Sequence, residues 1–309
     1  MNRLEIYQKI SECGILPTTF VYNIEDTVQL AKVLYQTGIR VIELLQRTPQ
    51  ALEAIKKVKE ALPEMTVGAG TVLHIDKAEQ VRSYGVDYIV CPYYHQEIVD
   101  WCNEHGMAVI PGCATITEVS RGYDSGLRFF KYFPTNQLGG IEVIRQISEI
   151  YSDARYVATG GITMEQLFSY SASKHICAVG SVCMMPNELI EARAWDAIAE
   201  LCKKSVAGSL GMSLVYSGGA DAVFNREIQH FECGRCGYRS FPDELFQIGG
   251  RVDRGYLVNS VERALAYFRD LGMTETILMR DPDGTPEVAD LLDDTNGTRL
   301  RFVARFKLA

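Results

Sequence analysis

The sequence predicts an α/β fold: a closed (β/α)8 TIM barrel over residues 1–205, followed by a small α+β module over residues 206–309. Three observations predict this class. They are a repeated unit of helix, glycine and short apolar strand, the number of such strands, and a change of composition near residue 205. An open doubly wound sheet is the alternative that the same alternation of strands and helices allows.

The repeated unit occurs in four clear copies. Each copy follows an amphipathic helical stretch and begins with a glycine, which suits the left-handed residue at a helix C-terminus. The glycine leads into a continuously apolar run, which is typical of a strand buried on both faces. The last three glycines are separated by 21 and 20 residues. The copies are Gly38–Glu43, Gly85–Val90, Gly106–Pro111 and Gly126–Lys131.

Filling the gaps in this repeat gives eight strands with helices between them. This spacing favours closure into a barrel, and about 205 residues for such a barrel require short loops. The strands are expected near residues 14–21, 41–47, 66–73, 88–92, 108–112, 129–134, 155–161 and 176–182. Helices fall between them, for instance at residues 25–37, 50–62, 96–105 and 140–151.

The composition is that of a globular chain, because 47% of the 309 residues are hydrophobic and 23% are charged. A net charge of −8 disfavours nucleic acid or an anionic membrane as a partner. No apolar run approaches the ~20 residues of a membrane span, and the first residues lack a signal-peptide core. Nine cysteines, mostly in apolar contexts, indicate reduced core thiols, so we expect a cytoplasmic protein.

The change of composition near residue 205 marks the predicted boundary. Lysine supplies 10 of 19 basic residues before it and 1 of 12 after it. Residues 207–211, Ala-Gly-Ser-Leu-Gly, are expected to be a linker. The segment beyond has a βαββ pattern, which is typical of a small α+β module. Its elements are a strand at 256–258, a helix from Ser260 to about Leu271, strands at 274–279 and 299–305, and turns at Asp283-Gly284 and Asn296-Gly297.

Two opposite charges stand inside otherwise apolar strands. The sixth position of the aligned repeat is Glu43 in the second strand and Lys131 in the sixth. Alternate strands of such a barrel fill the same interior layer, so both side chains are expected to point into one layer. Phe133 shares the face of Lys131, and burial among aromatic rings disfavours an ammonium and makes the amine nucleophilic. A nearby carboxylate can act as acid and base, whereas a purely structural ion pair is the alternative.

Further polar groups stand at strand ends, where barrel active sites are built. Arg47 ends the second strand on the face of Glu43, and its guanidinium suits a two-bond grip on a substrate carboxylate. The alternative is an ordinary arginine at a helix start, with Thr48 as the cap. Thr71 follows the small residues of the third strand and is a candidate donor, with close barrel packing as the alternative.

Glycines at the ends of the last two strands indicate a phosphate site. Thr159-Gly160-Gly161 ends the seventh strand, and Gly180-Ser181 ends the eighth. The loops after these two strands form the common phosphate site of TIM barrels, where glycine amides and a helix N-terminus supply donors. Glycines that merely end strands are the alternative.

These residues make the barrel segment, residues 1 to about 205, closely resemble the 2-keto-3-deoxy-6-phosphogluconate (KDPG) / 4-hydroxy-2-oxoglutarate (KHG) aldolase family. The resemblance implies a class I aldolase, in which a lysine amine condenses with the keto carbon of the substrate and neither metal nor another cofactor is used. It also implies a homotrimer. The matching stretches are Val41-Ile42-Glu43 with Arg47-Thr48-Pro49, Val67–Leu73, Ile110-Pro111-Gly112, Phe130–Pro134 and Thr159–Ile162.

Residue by residue, the resemblance implies a Schiff base on Lys131 and acid/base chemistry by Glu43. Arg47 and Thr71 match contacts to the pyruvate carboxylate, and Thr159 matches a contact to the substrate chain. The residues that match phosphate contacts are Gly160, Gly161, Gly180 and Ser181.

The chain departs from the family pattern at three places. Pro92 and Phe133 are expected to line the substrate pocket. Tyr93 and Tyr94 follow Pro92, where the family has a glycine, and are expected to narrow the mouth of this pocket. The first strand has Thr18-Thr19 where the family has aliphatic residues after a proline. The phosphate-side Gly-Gly-Ser is Val179-Gly180-Ser181 here, which weakens the expected phosphate affinity.

The C-terminal segment resembles, more weakly, the glyoxalase-like (vicinal oxygen chelate) extension fused to some of these aldolases, chiefly at residues 259–264. The metal ligands of active glyoxalase-type enzymes are not evident there. His230 stands beside Cys233 and Cys236, but one Cys-x-x-Cys pair lacks the second ligand pair of a closed zinc site. We therefore expect no metal and a structural or assembly role.

The sequence thus predicts a metal-independent carbon–carbon lyase. Its expected substrate is a 2-keto-4-hydroxy acid: a 2-keto-3-deoxy-6-phosphosugar acid, cleaved to pyruvate and glyceraldehyde 3-phosphate, or 4-hydroxy-2-oxoglutarate, cleaved to pyruvate and glyoxylate. Two other functions fit the same residues: a phosphosugar isomerase barrel, and a non-catalytic barrel that binds keto acids and regulates a partner.

Overall fold

The chain divides into two compact units, Met1–Val206 and Ala207–Ala309. A computed structural model describes residues 1–217, 223–224, 252–270, 272–282, 284–293 and 298–304. In this part of the chain no helix is long and apolar enough to cross a membrane.

The first unit is a parallel barrel, which confirms the predicted fold class. Its strands run in the order β5-β4-β3-β2-β1-β9-β8-β7-β6. β5 and β6 are the two halves of one barrel strand, interrupted at Pro111, whose carbonyl accepts the backbone N–H of Lys131 at 2.9 Å. This strand therefore joins both ends of the sheet. The bounds are β1 (Ile15–Phe20), β2 (Val41–Leu45), β3 (Thr66–Gly70), β4 (Tyr88–Val90), β5 (Ala108–Ile110), β6 (Gly112–Cys113), β7 (Phe129–Tyr132), β8 (Arg155–Thr159) and β9 (Ile176–Ser181).

Helices lie between the strands, as the repeat predicts, and the four glycines of the repeat all adopt positive φ, between 64° and 92°. The four helices predicted by range are present, each ending within about one residue of its expected bounds. The bounds are α1 (Arg3–Cys13), α2 (Ile24–Gln36), α3 (Ala51–Ala61), α4 (Ile75–Ser83), α5 (Gln96–Glu104), α6 (Ile116–Asp124), α7 (Gly140–Ile150), α8 (Met164–Ser171), α9 (Asn187–Glu191) and α10 (Trp195–Leu210), with a 3-10 helix at Asn136–Leu138.

Helix α1 packs against the lower part of the barrel interior. Its buried residues Ile6 and Ile10 join interior strand residues in one apolar cluster. The Tyr7 ring stacks on Phe129 with centroids 4.5 Å apart, and the Tyr7 hydroxyl donates to the Val109 carbonyl at 2.8 Å. Because Phe129 lies two residues before Lys131 on the same strand face, this apolar cluster forms the floor beneath the polar layer.

The second unit is a six-stranded sheet in the order β11-β10-β12-β15-β14-β13. β12 and β15 are parallel, and the other pairs are antiparallel. The predicted βαββ pattern is incomplete, because β14 lies between the two strands predicted after the helix. The bounds are β10 (Ser213–Ser217), β11 (Val223–Phe224), β12 (Arg254–Val258), α11 (Val261–Arg269), β13 (Thr274–Arg280), β14 (Pro286–Asp293) and β15 (Thr298–Ala304).

The prediction of a linker at residues 207–211 is wrong, because α10 continues to Leu210. The Nδ2 of Asn259 donates to the carbonyls of Gly208 and Ser209 at 3.3 Å, and the Asn259 backbone N–H donates to Leu210 at 2.9 Å. These bonds satisfy carbonyls that a helix end otherwise leaves unpaired. The small residues that suggested flexibility are therefore the ordered end of a helix.

Candidate active site

The structure brings Glu43 and Lys131 together inside the barrel. Glu43 extends from β2 and is fully buried, and Lys131 extends from β7 with 6% of its surface exposed. The Lys131 Nζ lies 3.3 Å from the Glu43 Oε1. Each charge thus has the opposite charge as a partner, which a buried ionised group requires.

The carboxylate of Glu43 fits a space left by a glycine. A Cβ atom on Gly70 would lie 2.1 Å from the Glu43 Oε1, so any larger residue in β3 would displace the carboxylate. On the other side, the Thr18 hydroxyl in β1 lies 3.3 Å from the Glu43 Oε2. The two oxygens are therefore held by different groups, Oε1 by Lys131 and Oε2 by Thr18.

Aromatic groups surround the charged pair. The Lys131 Nζ lies 5.4 Å from the centre of the Phe133 ring, on the carboxyl-end side. Tyr88 is fully buried, and its hydroxyl donates to the Ile42 carbonyl at 2.9 Å. Burial, and secondly the charge of Glu43, raises the pKa of Tyr88 well above its ordinary value. The phenol therefore stays neutral and acts as packing beside the carboxylate.

Arg47 and Thr71 meet at the carboxyl ends of β2 and β3. The Arg47 Nε donates to the Thr71 Oγ1 at 3.0 Å, and its guanidinium carbon lies 5.4 Å from the centre of the Phe20 ring. Thr71 adopts a φ of 62°, a region that is strained for a β-branched residue and is common at functional sites. The alternative in which Thr48 caps a helix is wrong, because Thr48 donates to the Val21 carbonyl and α3 begins at Ala51 without a side-chain cap.

Thr159 stands at the carboxyl end of β8 with an unused hydroxyl. Its Oγ1 is buried and has no hydrogen-bond partner among the described residues. Gly180 of β9 makes room for it, because a Cβ there would lie 2.5 Å from this oxygen. The Thr159 N–H donates to the Thr135 Oγ1 and its carbonyl accepts from the Thr135 N–H, both at 2.8 Å. Thr135 is not among the predicted site residues, although its position directly after the matched stretch that ends at Pro134 is a signal for it.

The two glycines after β8 form an open turn. Gly160 and Gly161 have φ values of 110° and 67°, which favour glycine. The Asn136 Nδ2 donates to the Gly161 carbonyl at 2.6 Å, and the Tyr170 hydroxyl donates to the Asn136 Oδ1 at 3.0 Å. This support orders a turn whose main-chain N–H groups lie at the carboxyl end of the barrel.

Ser181 and Pro92 hold backbone rather than offer free groups. The Ser181 Oγ donates to the Ile162 carbonyl at 2.8 Å and accepts from the Cys183 N–H at 3.1 Å. Its hydroxyl therefore joins the loops after β8 and β9. The main chain of Pro92 packs on Gly112, where a Cβ would lie 2.3 Å away, and Tyr93 beyond it is 43% exposed.

The comparisons with known proteins cover this barrel. The family model described as "KDPG and KHG aldolase" matches residues 6–201. The chain belongs to the KDPG and KHG aldolase family. A 2-dehydro-3-deoxy-phosphogluconate aldolase of Pseudoalteromonas atlantica is 34% identical over 65% of this chain and 94% of its own length. The KHG/KDPG aldolase of Escherichia coli is 32% identical over 63% of this chain and 92% of its own.

Solved structures of KDPG aldolases resemble this aldolase-family chain over the same region. The enzyme of Legionella pneumophila, captured with pyruvate as a covalent carbinolamine, is 28% identical with a TM-score of 0.62, covering 64% of this chain and 96% of that one. The enzyme of Zymomonas mobilis with 3-phosphoglycerate is 30% identical with a TM-score of 0.62, covering 66% and 96%. His230, Cys233 and Cys236, considered above for zinc, lie outside the described residues.

Proposed function

We propose that this aldolase-family chain is a class I, Schiff-base aldolase that cleaves a 2-keto-4-hydroxy acid to pyruvate and an aldehyde. The observation that carries the proposal is the buried Lys131 Nζ at 3.3 Å from the Glu43 Oε1. A sheltered amine beside one carboxylate is the pair that imine chemistry needs, a nucleophile and a group that moves protons. The relative captured with pyruvate as a covalent carbinolamine supports the same chemistry.

The first half of the reaction builds an electron sink. Glu43 takes a proton from the Lys131 ammonium along their hydrogen bond, which leaves a neutral amine. The amine attacks the C2 carbonyl of the substrate and forms a carbinolamine. Glu43 gives its proton to the carbinolamine hydroxyl, which leaves as water, so that Glu43 is again a carboxylate and the product is an iminium that joins Lys131 to C2.

The second half breaks the carbon–carbon bond. Glu43, as carboxylate, removes the proton of the C4 hydroxyl, the C3–C4 bond breaks, and its electron pair moves into the iminium to give an enamine and a free aldehyde. Glu43 then returns the proton to C3 of the enamine. Water hydrolyses the resulting iminium, which releases pyruvate and restores Lys131.

The remaining site residues are proposed to bind and orient the substrate. Arg47 and Thr71 would hold the carboxylate of the keto acid, since a guanidinium and a hydroxyl already meet there at 3.0 Å. The unpartnered Thr159 hydroxyl would contact the substrate chain, with Phe133 and Pro92 at the pocket wall. The proposed phosphate contacts are Gly160, Gly161, Gly180 and Ser181. The Ser181 hydroxyl already donates to the Ile162 carbonyl, so the proposed donors are the main-chain N–H groups of Gly160 and Gly161, which lie beyond the end of β8.

The proposed substrate is KDPG or KHG, as in the names of the relatives. The aldehyde released would be glyceraldehyde 3-phosphate from KDPG or glyoxylate from KHG. A cytoplasmic location stays a proposal from the cysteines in apolar contexts, and a homotrimer stays a proposal from the family resemblance. The same holds for the glyoxalase-like nature of the second unit, for which we propose a structural or assembly role.

Trapping with pyruvate tests the nucleophile directly. The protein is incubated with pyruvate and borohydride, and its intact mass is measured. We expect one reduced pyruvyl adduct on the native chain and none on Lys131→Met, which replaces the amine by an apolar chain of similar length. We expect Lys131→Met to lose aldol cleavage by a factor on the order of 10³ or more while it stays folded.

The same experiment separates the alternatives. A phosphosugar isomerase barrel gains no adduct. A keto-acid-binding barrel without catalysis gains the adduct but shows no release of pyruvate from KDPG or KHG. Cleavage by a folded Lys131→Met variant at more than trace level would reject Lys131 as the nucleophile.

A further inference from the structure

We propose that Thr18 is a positioning residue for Glu43, holding the carboxylate oxygen that Lys131 does not contact and thereby setting the pH range in which the enzyme turns over. The proposal rests on the proposed function, since it assigns Thr18 a role through the acid/base group of that mechanism. Thr18 lies in β1, a strand for which no site residue was expected.

The geometry places Thr18 beside Glu43 by strand register. Thr18 of β1 pairs with Glu43 of β2. Thr18 is 7% exposed, and its Oγ1 lies 3.3 Å from the Glu43 Oε2, while the Lys131 Nζ lies 3.3 Å from Oε1. Gly70 fixes the position of the same carboxylate from β3. Three strands and the lysine therefore surround one buried acid.

The hydroxyl of Thr18 has a second acceptor, the Leu16 carbonyl, also at 3.3 Å. A hydroxyl has one hydrogen and two lone pairs and rotates about its C–O bond. When Glu43 is ionised, the hydrogen can point to Oε2. When Glu43 carries the proton, the Thr18 hydrogen can turn to Leu16 and its lone pair can accept from the carboxylic acid. Thr18 can thus hold Glu43 in both protonation states of the reaction.

An aliphatic residue at position 18 can neither donate a hydrogen bond to the Glu43 carboxylate nor accept one from the Glu43 carboxylic acid. A fully buried carboxylate without hydrogen-bond partners is costly, so the loss of one partner favours the protonated form. The first strand of the resembled family usually has aliphatic residues here, and the threonine is a departure of this chain. Thr18→Val therefore removes the hydroxyl while it keeps the branched shape of the side chain.

The next residue supplies a matched control. Thr19 is also buried, with 3% exposure, but its Oγ1 donates to the Phe20 carbonyl at 3.1 Å. Because successive side chains of a strand point to opposite faces, Thr19 faces away from the barrel interior. Thr19→Val repeats the chemical change in the same strand without touching Glu43.

Two titratable groups on or directly after β4 interact electrostatically with the charged pair. Tyr88 interacts with Glu43, and Cys91 interacts with both Lys131 and Glu43. Burial raises the pKa of both Tyr88 and Cys91, so both stay neutral below about pH 9. Neither Tyr88 nor Cys91 therefore contributes an acidic limb to the activity profile.

The test measures kcat and KM for cleavage against pH in the native protein, Thr18→Val, Thr18→Ser and Thr19→Val. For Thr18→Val we expect kcat to fall about 10-fold, the size of a lost hydrogen bond to a charged group, with KM changed less than about 3-fold. We expect the acidic limb of its kcat profile to move up by about one pH unit. Thr18→Ser should restore both values, and Thr19→Val should match the native profile.

Each other result overturns the proposal or the function beneath it. A folded Thr18→Val variant with native kcat and an unmoved acidic limb overturns the role of Thr18, as does an equal effect of Thr19→Val. If Thr18→Val fails to fold, Thr18→Ala is compared with Thr18→Ser, and equal profiles overturn the role. Absence of the borohydride-trapped pyruvyl adduct on the native protein overturns the proposed function itself, independently of any Thr18 variant.

Discussion

At the scale of single residues, the site depends on glycines that leave room for polar side chains. Gly70 leaves the space in which the Glu43 Oε1 lies, and Gly180 does the same for the Thr159 Oγ1. In both cases the glycine and the polar residue stand on neighbouring strands. The interior of a barrel is closely packed and leaves little space for a carboxylate or a hydroxyl. A glycine on one strand therefore determines where the polar side chain of the neighbouring strand can lie.

Gly70→Ala should displace Glu43 and slow catalysis. The new methyl group would lie 2.1 Å from Oε1, so the carboxylate must move by about 1 Å, and we expect kcat to fall on the order of 100-fold. The measurement is kcat for aldol cleavage together with the rate of pyruvyl adduct formation. Glu43 takes part in both, so both should slow.

Gly106→Ala separates this effect from loss of stability. Gly106 ends the turn after α5 with a φ of 64°, and a Cβ there meets nothing within 4 Å. We expect this variant to lose about 1–2 kcal/mol of unfolding free energy through backbone strain and to keep native kcat. A Gly70→Ala protein with kcat within about 3-fold of native would show that Glu43 does not need its observed position.

At the scale of elements, hydrophobic periodicity predicts most of the barrel. Each unit contains a glycine that ends a helix and an apolar run that is buried on both faces, and these two signals bracket every element in the repeat. The strand at 41–47 was predicted too long, because β2 ends at Leu45. The prediction was too long because Arg47 continues the alternation of side chains that starts at Glu43. Its backbone, however, lies past the end of β2 and is not part of the hydrogen-bonded sheet.

The misses come from contacts between residues far apart in sequence. Residues 207–210 stay helical partly because Asn259, some fifty residues later, bonds to the last carbonyls. Thr18 and Thr135 matter through hydrogen bonds to other strands, Thr18 to the Glu43 carboxylate and Thr135 to the Thr159 backbone. Composition and local propensity do not predict such distant partners. Lys131 and Glu43 could be predicted because a charged residue inside an apolar strand is rare.

His175, at the amino-terminal side of β9, should make the barrel less stable in acid. Burial, helped by the positive charges of Lys174 and Arg155, lowers its pKa from 6.5 to about 4. The unfolded chain therefore binds more protons than the folded one between these values, so the free energy of unfolding falls as the pH drops from 6.5 to about 4. Allowing for partial exposure, we expect a loss of about 1–2 kcal/mol.

The measurement is urea unfolding of the native protein and His175→Gln at several pH values across this window. The glutamine variant lacks the titrating ring, so its unfolding free energy should fall less steeply toward low pH. Equal slopes for the two proteins would assign the acid sensitivity to other groups.

At the scale of the whole molecule, all the proposed site residues lie in the first of the two units. Every proposed site residue, from Thr18 to Ser181, lies in Met1–Val206, and the family match ends at residue 201. That unit has a barrel core and an interior floor of its own, with α1 supplying the residues beneath the charged pair. The second unit has a separate sheet and its own buried ion pair, in which Arg301 bonds Asp290 at 2.6 and 2.8 Å.

This division predicts that the barrel works without the second sheet. A chain ending after Gly211 keeps every residue of α10, without the bonds from Asn259 to its last turn, and every site residue, so we expect its kcat and KM to stay within about 3-fold of the full chain. The measurement compares steady-state cleavage by both chains, with circular dichroism to show that the shorter one is folded and native mass spectrometry to compare their assembly states. A folded short chain that assembles like the full one but loses more than about 10-fold in kcat would place catalytic groups in the second unit, whereas a change of assembly with native kcat supports an assembly role for it.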